Sequence, residues 1–440
     1  MSTEYRLFQL TAIDGAASYL TQAAQIAGQV PDTPHRAPST IRVVGVLGAG
    51  AMGRGIAMAF AQTGHQVILV DPSQQALDTA RAHLQSLTNR SAAKGKLTAD
   101  QAAAQMARFT FSDAIPAFAK ADLVIEAVPE ILSLKQQVMA EIERTVATDA
   151  LITSNTSTLD VDAIAGALAD PSRFVATHFF MPAQVNPLLE LIPAQTTSAE
   201  TLTTVLALAQ TIRKRAVIAA NGDGFIGNRL FDRFHQEAMY LLEEGAWPQD
   251  VDDALERWGM AIGPFRALDL VGNDIPWGVR KQRAERPNPP HQPRIGDALC
   301  EAGLHGQKTG RGWYLYDAAT PKGRNYEDIQ ALISRTSQDL GLTRRAIPAA
   351  EIVGRVITAL MVEALALIPE HRARRGSDID VVYTTGYGFP AALAGPIRLA
   401  QELGVDNLLA LARHYGQISG RAGTAWQIPA SLKEAAHAPV

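Results

Sequence analysis

From Ile41 onward the chain alternates short apolar runs with long stretches in which apolar residues recur every three or four positions. Arg42–Leu47, Val67–Val70, Asp122–Val128 and Leu151–Ser154 read as strands, with helices over Ala51–Thr63 and Leu132–Thr145 between them. Strands alternating with helices of that length predict a parallel, doubly wound sheet. Three more strand-like runs follow, Phe174–Phe180, Leu188–Ile192 and Ala216–Ala220. After Asn221 the strand pattern stops and helical periods dominate. Ahead of this region, residues 1–40 hold an amphipathic helix around Tyr19–Ile26 and end in Pro31, Pro34, His35 and Pro38, a linker composition.

The helical half repeats itself. Arg229, Glu237-Ala238, Leu241 and Glu244 recur at one constant offset as Arg355, Glu363-Ala364, Leu367 and Glu370. Asp250-Val251-Asp252 matches Asp378-Ile379-Asp380, Gly263-Pro264 matches Gly395-Pro396, and Gly272 matches Gly404. Two copies of one helical domain are expected, joined by a Pro- and Arg-rich stretch, Arg280–Arg294, and a Gly-rich one, Gly306–Gly312.

Composition narrows the class. With 440 residues, 47% hydrophobic and 19% charged, the chain has material for a large core and several domains. A net charge of −4 gives no nucleic-acid footprint. Cys300 stands alone and has no internal disulfide partner, which fits a reducing compartment. No secretory signal opens the chain. The best membrane candidate, Val356–Ile368, is short and interrupted by Glu363. The final His-Ala-Pro-Val is not a peroxisomal address. A soluble cytoplasmic protein without a metal site is expected.

The first chemistry lies in Gly48-Ala49-Gly50-Ala51-Met52-Gly53, which follows a strand and opens a helix. Gly48 permits a tight turn, Gly50 lets a pyrophosphate approach the backbone, and Gly53 allows close helix–strand packing. The helix N-terminus then presents amides to phosphates. The next strand ends in Asp71, about 20 residues on, where a carboxylate accepts from ribose hydroxyls. Pro72 and Ser73 follow it in place of an arginine, so NAD is favoured over NADP.

The second constellation is a pair of polar intrusions into apolar runs, His178 in Phe174–Phe180 and Glu190 in Leu188–Ile192. Burying either is costly unless it is paired. If the two runs fold back about Gln184, His178 and Glu190 face one another, and a carboxylate on imidazole equips a general base. A purely structural pair remains open at this point. Ser154-Asn155-Thr156-Ser157-Thr158 follows the fourth strand at the ligand-binding edge of the sheet, though it also suits a cap for a helix from Asp160. Asn228 sits in Gly224–Arg229, where sheet passes into helices. Its counterpart in the second copy is Gly354, so that copy keeps the fold and drops the polar group.

These residues together resemble the L-3-hydroxyacyl-CoA dehydrogenase family, most closely the dehydrogenase half of peroxisomal-type multifunctional β-oxidation enzymes. The matching stretches are Gly45–Ile56, Asp122–Glu130 with Lys135, Ser154–Ser157, Thr177–Phe180, Pro187–Glu190 and Gly224–Arg229. Further matches are Gly263–Phe265, Gly306–Tyr314, Ser377–Asp380 and Gly386–Pro390. The resemblance implies an α/β Rossmann-type NAD-binding domain followed by two repeated all-α domains. The divisions are 1–40 (helix and linker), 41–221 (NAD-binding), 222–320 and 345–432 (helical copies). It implies NAD-dependent oxidation of L-3-hydroxyacyl-CoA, with His178 as base, Glu190 as its partner, and Ser157 and Asn228 holding substrate oxygens. Glu130, Lys135, Ser157 and Lys308 would join the Gly48–Gly53 turn and Asp71 in lining the NAD site. Lys94 and Lys96 would meet the CoA phosphates, unless they are simply a solvated loop.

The chain departs from the family in having Met181 after His-Phe-Phe, where relatives place a polar residue near the cofactor. The second copy has Ala391, Ala392, Leu393 and Ala394 where relatives are basic. No hydratase half precedes Ile41, so hydratase activity is not expected. Relatives with one helical copy pair it across a dimer; two copies in one chain imply a monomer with an internal pseudo-dimer. A β-hydroxyacid dehydrogenase acting on free acids and a catalytically silent nucleotide-binding scaffold are the competing readings.

Overall fold

The computed structural model describes residues 7–29, 39–287, 291–420 and 426. The proline-rich linker expected over 31–38 lies outside them, as does most of 421–432. The described residues fall into two compact units. One comprises those within 21–228 together with His371–Arg374, the other those within 1–20, 229–370 and 375–440.

The first unit is built on eight strands: β1 Val43–Leu47, β2 Gln66–Val70, β3 Phe109–Ser112, β4 Leu123–Glu126, β5 Leu151–Ser154, β6 Phe174–Phe179, β7 Leu188–Ile192 and β8 Arg215–Ile218. Their order is β3-β2-β1-β4-β5-β6-β7-β8. β1 to β6 are parallel, the arrangement of a doubly wound dinucleotide-binding sheet. β7 pairs antiparallel to β6, and β8 runs parallel to β7. β4 to β7 are buried at every position, which is why they read as mainly apolar runs, interrupted by a few polar residues, rather than as alternation. β3 escaped the sequence reading because it is a half-exposed edge strand of four residues, Phe-Thr-Phe-Ser.

The helices flanking the sheet are α2 Ala51–Gln62, α3 Gln74–Ala93, α4 Ala99–Met106, α5 Leu132–Thr145, α6 Val161–Ala165 and α7 Ala199–Thr211. The N-terminal helix α1, Ala16–Ala27, covers the amphipathic segment expected around Tyr19–Ile26. One side of the sheet core joins Val44, Val46, Leu69 and Ile125 to Ile56, Met58 and Phe60 of α2. Residues 371–374, far away in sequence, clip onto the end of β8. Ala219 bridges Ala373, and the Ala220 amide donates to the Arg372 carbonyl at 3.0 Å.

The second unit is all helical: α8 Gly227–Glu244 (from Arg229 on), α9 Pro248–Trp258, α10 Pro264–Val271, α11 Asp274–Ala284, α12 Ile295–Glu301, α13 Glu327–Asp339, α14 Ala349–Ala366, α15 Gly376–Gly386, α16 Pro396–Leu403 and α17 Val405–Ile418. The repeat is visible in its caps. Asp252 on α9 accepts from the Phe265 and Arg266 amides that open α10, at 2.9 and 3.0 Å. Asp380 on α15 accepts from the Ile397 and Arg398 amides that open α16, at 2.7 and 3.0 Å.

Candidate active site

The dinucleotide turn forms where β1 ends. Gly48 has φ +105°, and a Cβ there would meet the Ala127 carbonyl oxygen at 2.7 Å, so a side chain is excluded twice. A Cβ on Gly53 would overlap the Gly48 carbonyl oxygen, which lets α2 start directly against β1. Gly50 is the N-cap, and no side chain caps the helix. Nothing approaches within 4 Å of a Cβ built on Gly50, so the first turn, with Ala51 exposed and Met52 half-buried, opens onto free space. Open space at an uncapped helix N-terminus fits the pyrophosphate of a dinucleotide. The Asp71 carboxylate reaches across from the end of β2, accepting from the Ala49 amide at 2.8 Å and the Ser73 amide at 2.9 Å. It is thereby fixed beside the turn.

Beneath the same edge lies a buried charge cluster. Lys135 is fully enclosed, with its ammonium 2.8 Å from Glu126 and 3.3 Å from Glu130. Glu126 also receives the Ser154 hydroxyl. Lys135 therefore does not face open space; it holds Glu130, the half-buried member of the set. One Glu130 oxygen gathers the Thr156 hydroxyl at 2.7 Å, the Ser157 amide at 2.8 Å and the Thr158 amide at 2.9 Å, with the Ser157 hydroxyl at 3.3 Å. Burial pushes the Glu130 carboxyl up, but Lys135 and these donors outweigh it and hold it below its ordinary value. Glu126 was missed in the sequence because a glutamate ending an apolar strand gives no sign of the lysine nine residues later.

His178 and Glu190 stand opposite each other in the antiparallel register of β6 and β7. Imidazole Nδ1 is 2.8 Å from one Glu190 oxygen. The other Glu190 oxygen accepts the Ile226 and Gly227 amides at 3.2 and 2.9 Å. Glu190 is fully buried and His178 nearly so. With Nδ1 engaged by a carboxylate, Nε2 is the nitrogen left to exchange a proton. The ring packs against Phe180 at 4.3 Å and Phe225 at 5.7 Å between centroids. Phe225 has φ +48°, a left-handed conformation that is uncommon for a bulky residue and costs on the order of 1–3 kcal/mol. That turn delivers the two amides to Glu190 and the ring to His178, a demand invisible in the sequence.

Asn155 ties the two regions of the sheet edge, accepting the Phe179 amide at 3.0 Å. Ser157 is half-buried two residues further on. Asn228 directly follows the Gly227 amide bound by Glu190 and is half-exposed. Lys94 and Lys96 are both exposed in the turn after α3. Lys308 belongs to the helical unit, where it is half-exposed and ion-paired to Asp274 at 2.5 Å. Met181, after Phe180, is 41% exposed.

A parallel sheet with an open phosphate turn and a buried histidine–carboxylate pair at its carboxyl edge defines a dinucleotide-dependent oxidoreductase architecture. Residues 43–222 match the family described as 3-hydroxyacyl-CoA dehydrogenase, NAD binding domain, and residues 224–316 and 352–438 each match its C-terminal domain. The chain belongs to the 3-hydroxyacyl-CoA dehydrogenase family. It is 38% identical over 390 residues to the peroxisomal bifunctional enzyme of Cavia porcellus, covering 85% of this chain and 53% of that protein. The chain thus spans about half the length of the curated relatives it matches. Among solved structures, 3-hydroxybutyryl-CoA dehydrogenase from Escherichia coli K12 superposes with a TM-score of 0.76 at 25% identity, covering 90% of this chain and 98% of its own. The dehydrogenase part of multifunctional enzyme 1 from C. elegans gives 0.70 at 25% identity, covering 99% of both chains. Among the described residues no helix is long and apolar enough to cross a membrane.

Proposed function

We propose that this chain oxidises L-3-hydroxyacyl-CoA thioesters to 3-ketoacyl-CoA in fatty acid β-oxidation. The observation that carries the reading is the His178–Glu190 pair, locked through Glu190 to the Ile226 and Gly227 amides. His178 takes the C3 hydroxyl proton at Nε2, while Glu190 stabilises the resulting imidazolium through Nδ1. NAD, when bound, would supply the acceptor for the hydride that leaves C3. Ser157 and Asn228 orient the alcohol and thioester oxygens, and Glu130 fixes Ser157 in place. Gly48, Gly50, Ala51, Met52 and Gly53 would hold the pyrophosphate and Asp71 the ribose, with Lys135 acting through Glu130. Lys308 is carried over as a cofactor residue from the family resemblance alone, and the exposed Lys94 and Lys96 suit the CoA phosphates. A positioned base contributes roughly 10²–10⁴ in rate, and placing two ligands together supplies most of the remainder.

The working division is 1–40 as helix and linker, 41–221 as the NAD-binding domain, and 222–320 and 345–432 as the helical copies, in a monomer. Buried, unpaired Cys300 supports a reducing compartment, and the cytoplasm is the location we propose. The decisive assay follows NADH oxidation with acetoacetyl-CoA, beside free acetoacetate and beside NADPH. Turnover of the thioester with NADH, and little with either alternative, is expected. Preference for the free acid would replace the reading, and no turnover despite NADH binding would leave a silent scaffold.

A further inference from the structure

Lys214 lies between α7 and β8, where its side chain is buried. Its ammonium meets two backbone carbonyl oxygens, those of Ala183 and Asn186, each at 2.5 Å. Among the described residues its partners are these carbonyls and not a carboxylate. Burial alone lowers its pKa to about 8, so the fold keeps a cation there at neutral pH against a desolvation cost that an apolar side chain would not carry.

Both carbonyls belong to the segment 182–187, which closes the hairpin between β6 and β7. That hairpin carries the His178–Glu190 rung. The same segment rests on the dinucleotide helix: a Cβ on Gly55 of α2 would meet Ala183 Cβ and Gln184 Oε1, each at 3.0 Å. One ammonium thus grips a loop that leads to the histidine at one end and sits on the phosphate-binding helix with its body.

We propose that Lys214 is a positioning residue, holding loop 182–187 so that the dinucleotide helix and the His178–Glu190 pair keep one mutual placement. Lys214 touches no reacting atom, so its loss acts on nicotinamide nucleotide affinity and on turnover together. The turnover half of this inference rests on the dehydrogenase reading; the binding half needs only the dinucleotide site.

The test compares Lys214→Met and Lys214→Arg with the parent protein by NADH fluorescence titration, acetoacetyl-CoA reduction and thermal unfolding. The methionine variant is expected to melt cooperatively, bind NADH on the order of tenfold more weakly, and turn over more slowly. The arginine variant, again cationic and rich in donors, should recover most of the lost NADH affinity. A methionine variant with parental NADH affinity and kinetics overturns the proposal even if it melts earlier, and so does an arginine variant that binds no better than methionine. If the methionine variant is not recovered folded, Lys214→Gln replaces it under the same criteria. If the parent binds NADH but does not reduce acetoacetyl-CoA, the proposed activity fails, and the NADH titrations alone decide the role of Lys214.

Discussion

At the scale of single residues, the site concentrates its cost in a few places. Glu190 is buried and, among the described residues, is held by one imidazole and two amides rather than by a lysine or arginine, so it has little freedom to reorganise when His178 gains a proton. His178→Gln keeps a side chain of similar reach but cannot accept the proton. It is expected to lower turnover by roughly 10²–10⁴ while NADH affinity stays parental. Steady-state kinetics beside an NADH titration check this, and a folded variant with parental turnover would remove His178 from the mechanism. The residue pattern made this pair legible because each group interrupts an otherwise apolar strand. Phe225 was not legible: its strained backbone is imposed by the turn that brings two amides to Glu190.

At the scale of elements, the two helical copies share a frame but not its contents. His235 on α8 is buried, with its ring nitrogens 2.7 and 3.1 Å from the Phe231 and Pro264 carbonyl oxygens. The matching position in α14 is Met361. Burial pushes the His235 imidazole down to about 4. Its folded value therefore lies below its unfolded value near 6.5, and the unfolded chain binds more protons between these limits. The stability tied to neutral His235 is present above pH 6.5 and is lost as pH falls from 6.5 towards 4, by about 3 kcal/mol at full extent. His235→Met, which installs the second copy's residue, should flatten that loss in denaturant unfolding measured from pH 7 to 4. Identical pH slopes for parent and variant would assign the acid sensitivity elsewhere. The copies also borrow equivalent partners from unrelated segments. The Tyr314 hydroxyl donates to Asp252 at 2.7 Å, and Tyr19 of α1 donates to Asp380 at 2.7 Å. The helix in residues 1–40, read in the sequence only as part of a helix-and-linker segment, thus supplies to the second copy what Tyr314 supplies to the first.

At the scale of the whole helical unit, the repeat is joined to itself by a reciprocal exchange. Arg355 bonds Glu237 at 2.7 Å and Glu244 at 2.5 Å, while Arg229 bonds Glu363 and Glu370, each at 2.6 Å. Each arginine reaches the other copy's equivalents of the same two glutamates, the signature of a two-fold interface within one chain. Arg355 and Glu237 are fully buried, whereas Arg229 is 30% exposed. Arg355→Ala strands buried carboxylates and is expected to cost about 3–5 kcal/mol. Arg229→Ala should cost about 1 kcal/mol or less, because its pair is solvated. Denaturant unfolding of the two variants tests the order, and equal losses would mean that the exchange is not what the burial implies. Deleting residues from about Ala349 onward removes α14, which packs against α9, and should cause aggregation or new dimerisation. Light scattering on the two proteins reads this: an intact chain that is an obligate dimer, or a truncated one that stays monomeric, would defeat the internal pseudo-dimer.

The periodicities of the chain by themselves determined the parallel sheet, the phosphate turn and the helical repeat, because each follows from local spacing: apolar runs for buried strands, glycines for a turn without room for side chains, and one offset for two copies. The pairing of His178 with Glu190 was also readable, since antiparallel strands joined by a short loop bring symmetric positions together. Tertiary structure alone decided the rest. Edge strand β3 carries too few apolar residues to announce itself, and Lys135 went from an expected cofactor neighbour to an enclosed ion because Glu126 is adjacent only across the fold. Gly354 looked like a simple loss of Asn228, but its space is taken by the Tyr415 hydroxyl, which a Cβ at Gly354 would overlap. A ring arriving from sixty residues away leaves no trace in the spacing of a helix, and only packing reveals that the second copy has closed the position where the first keeps an asparagine.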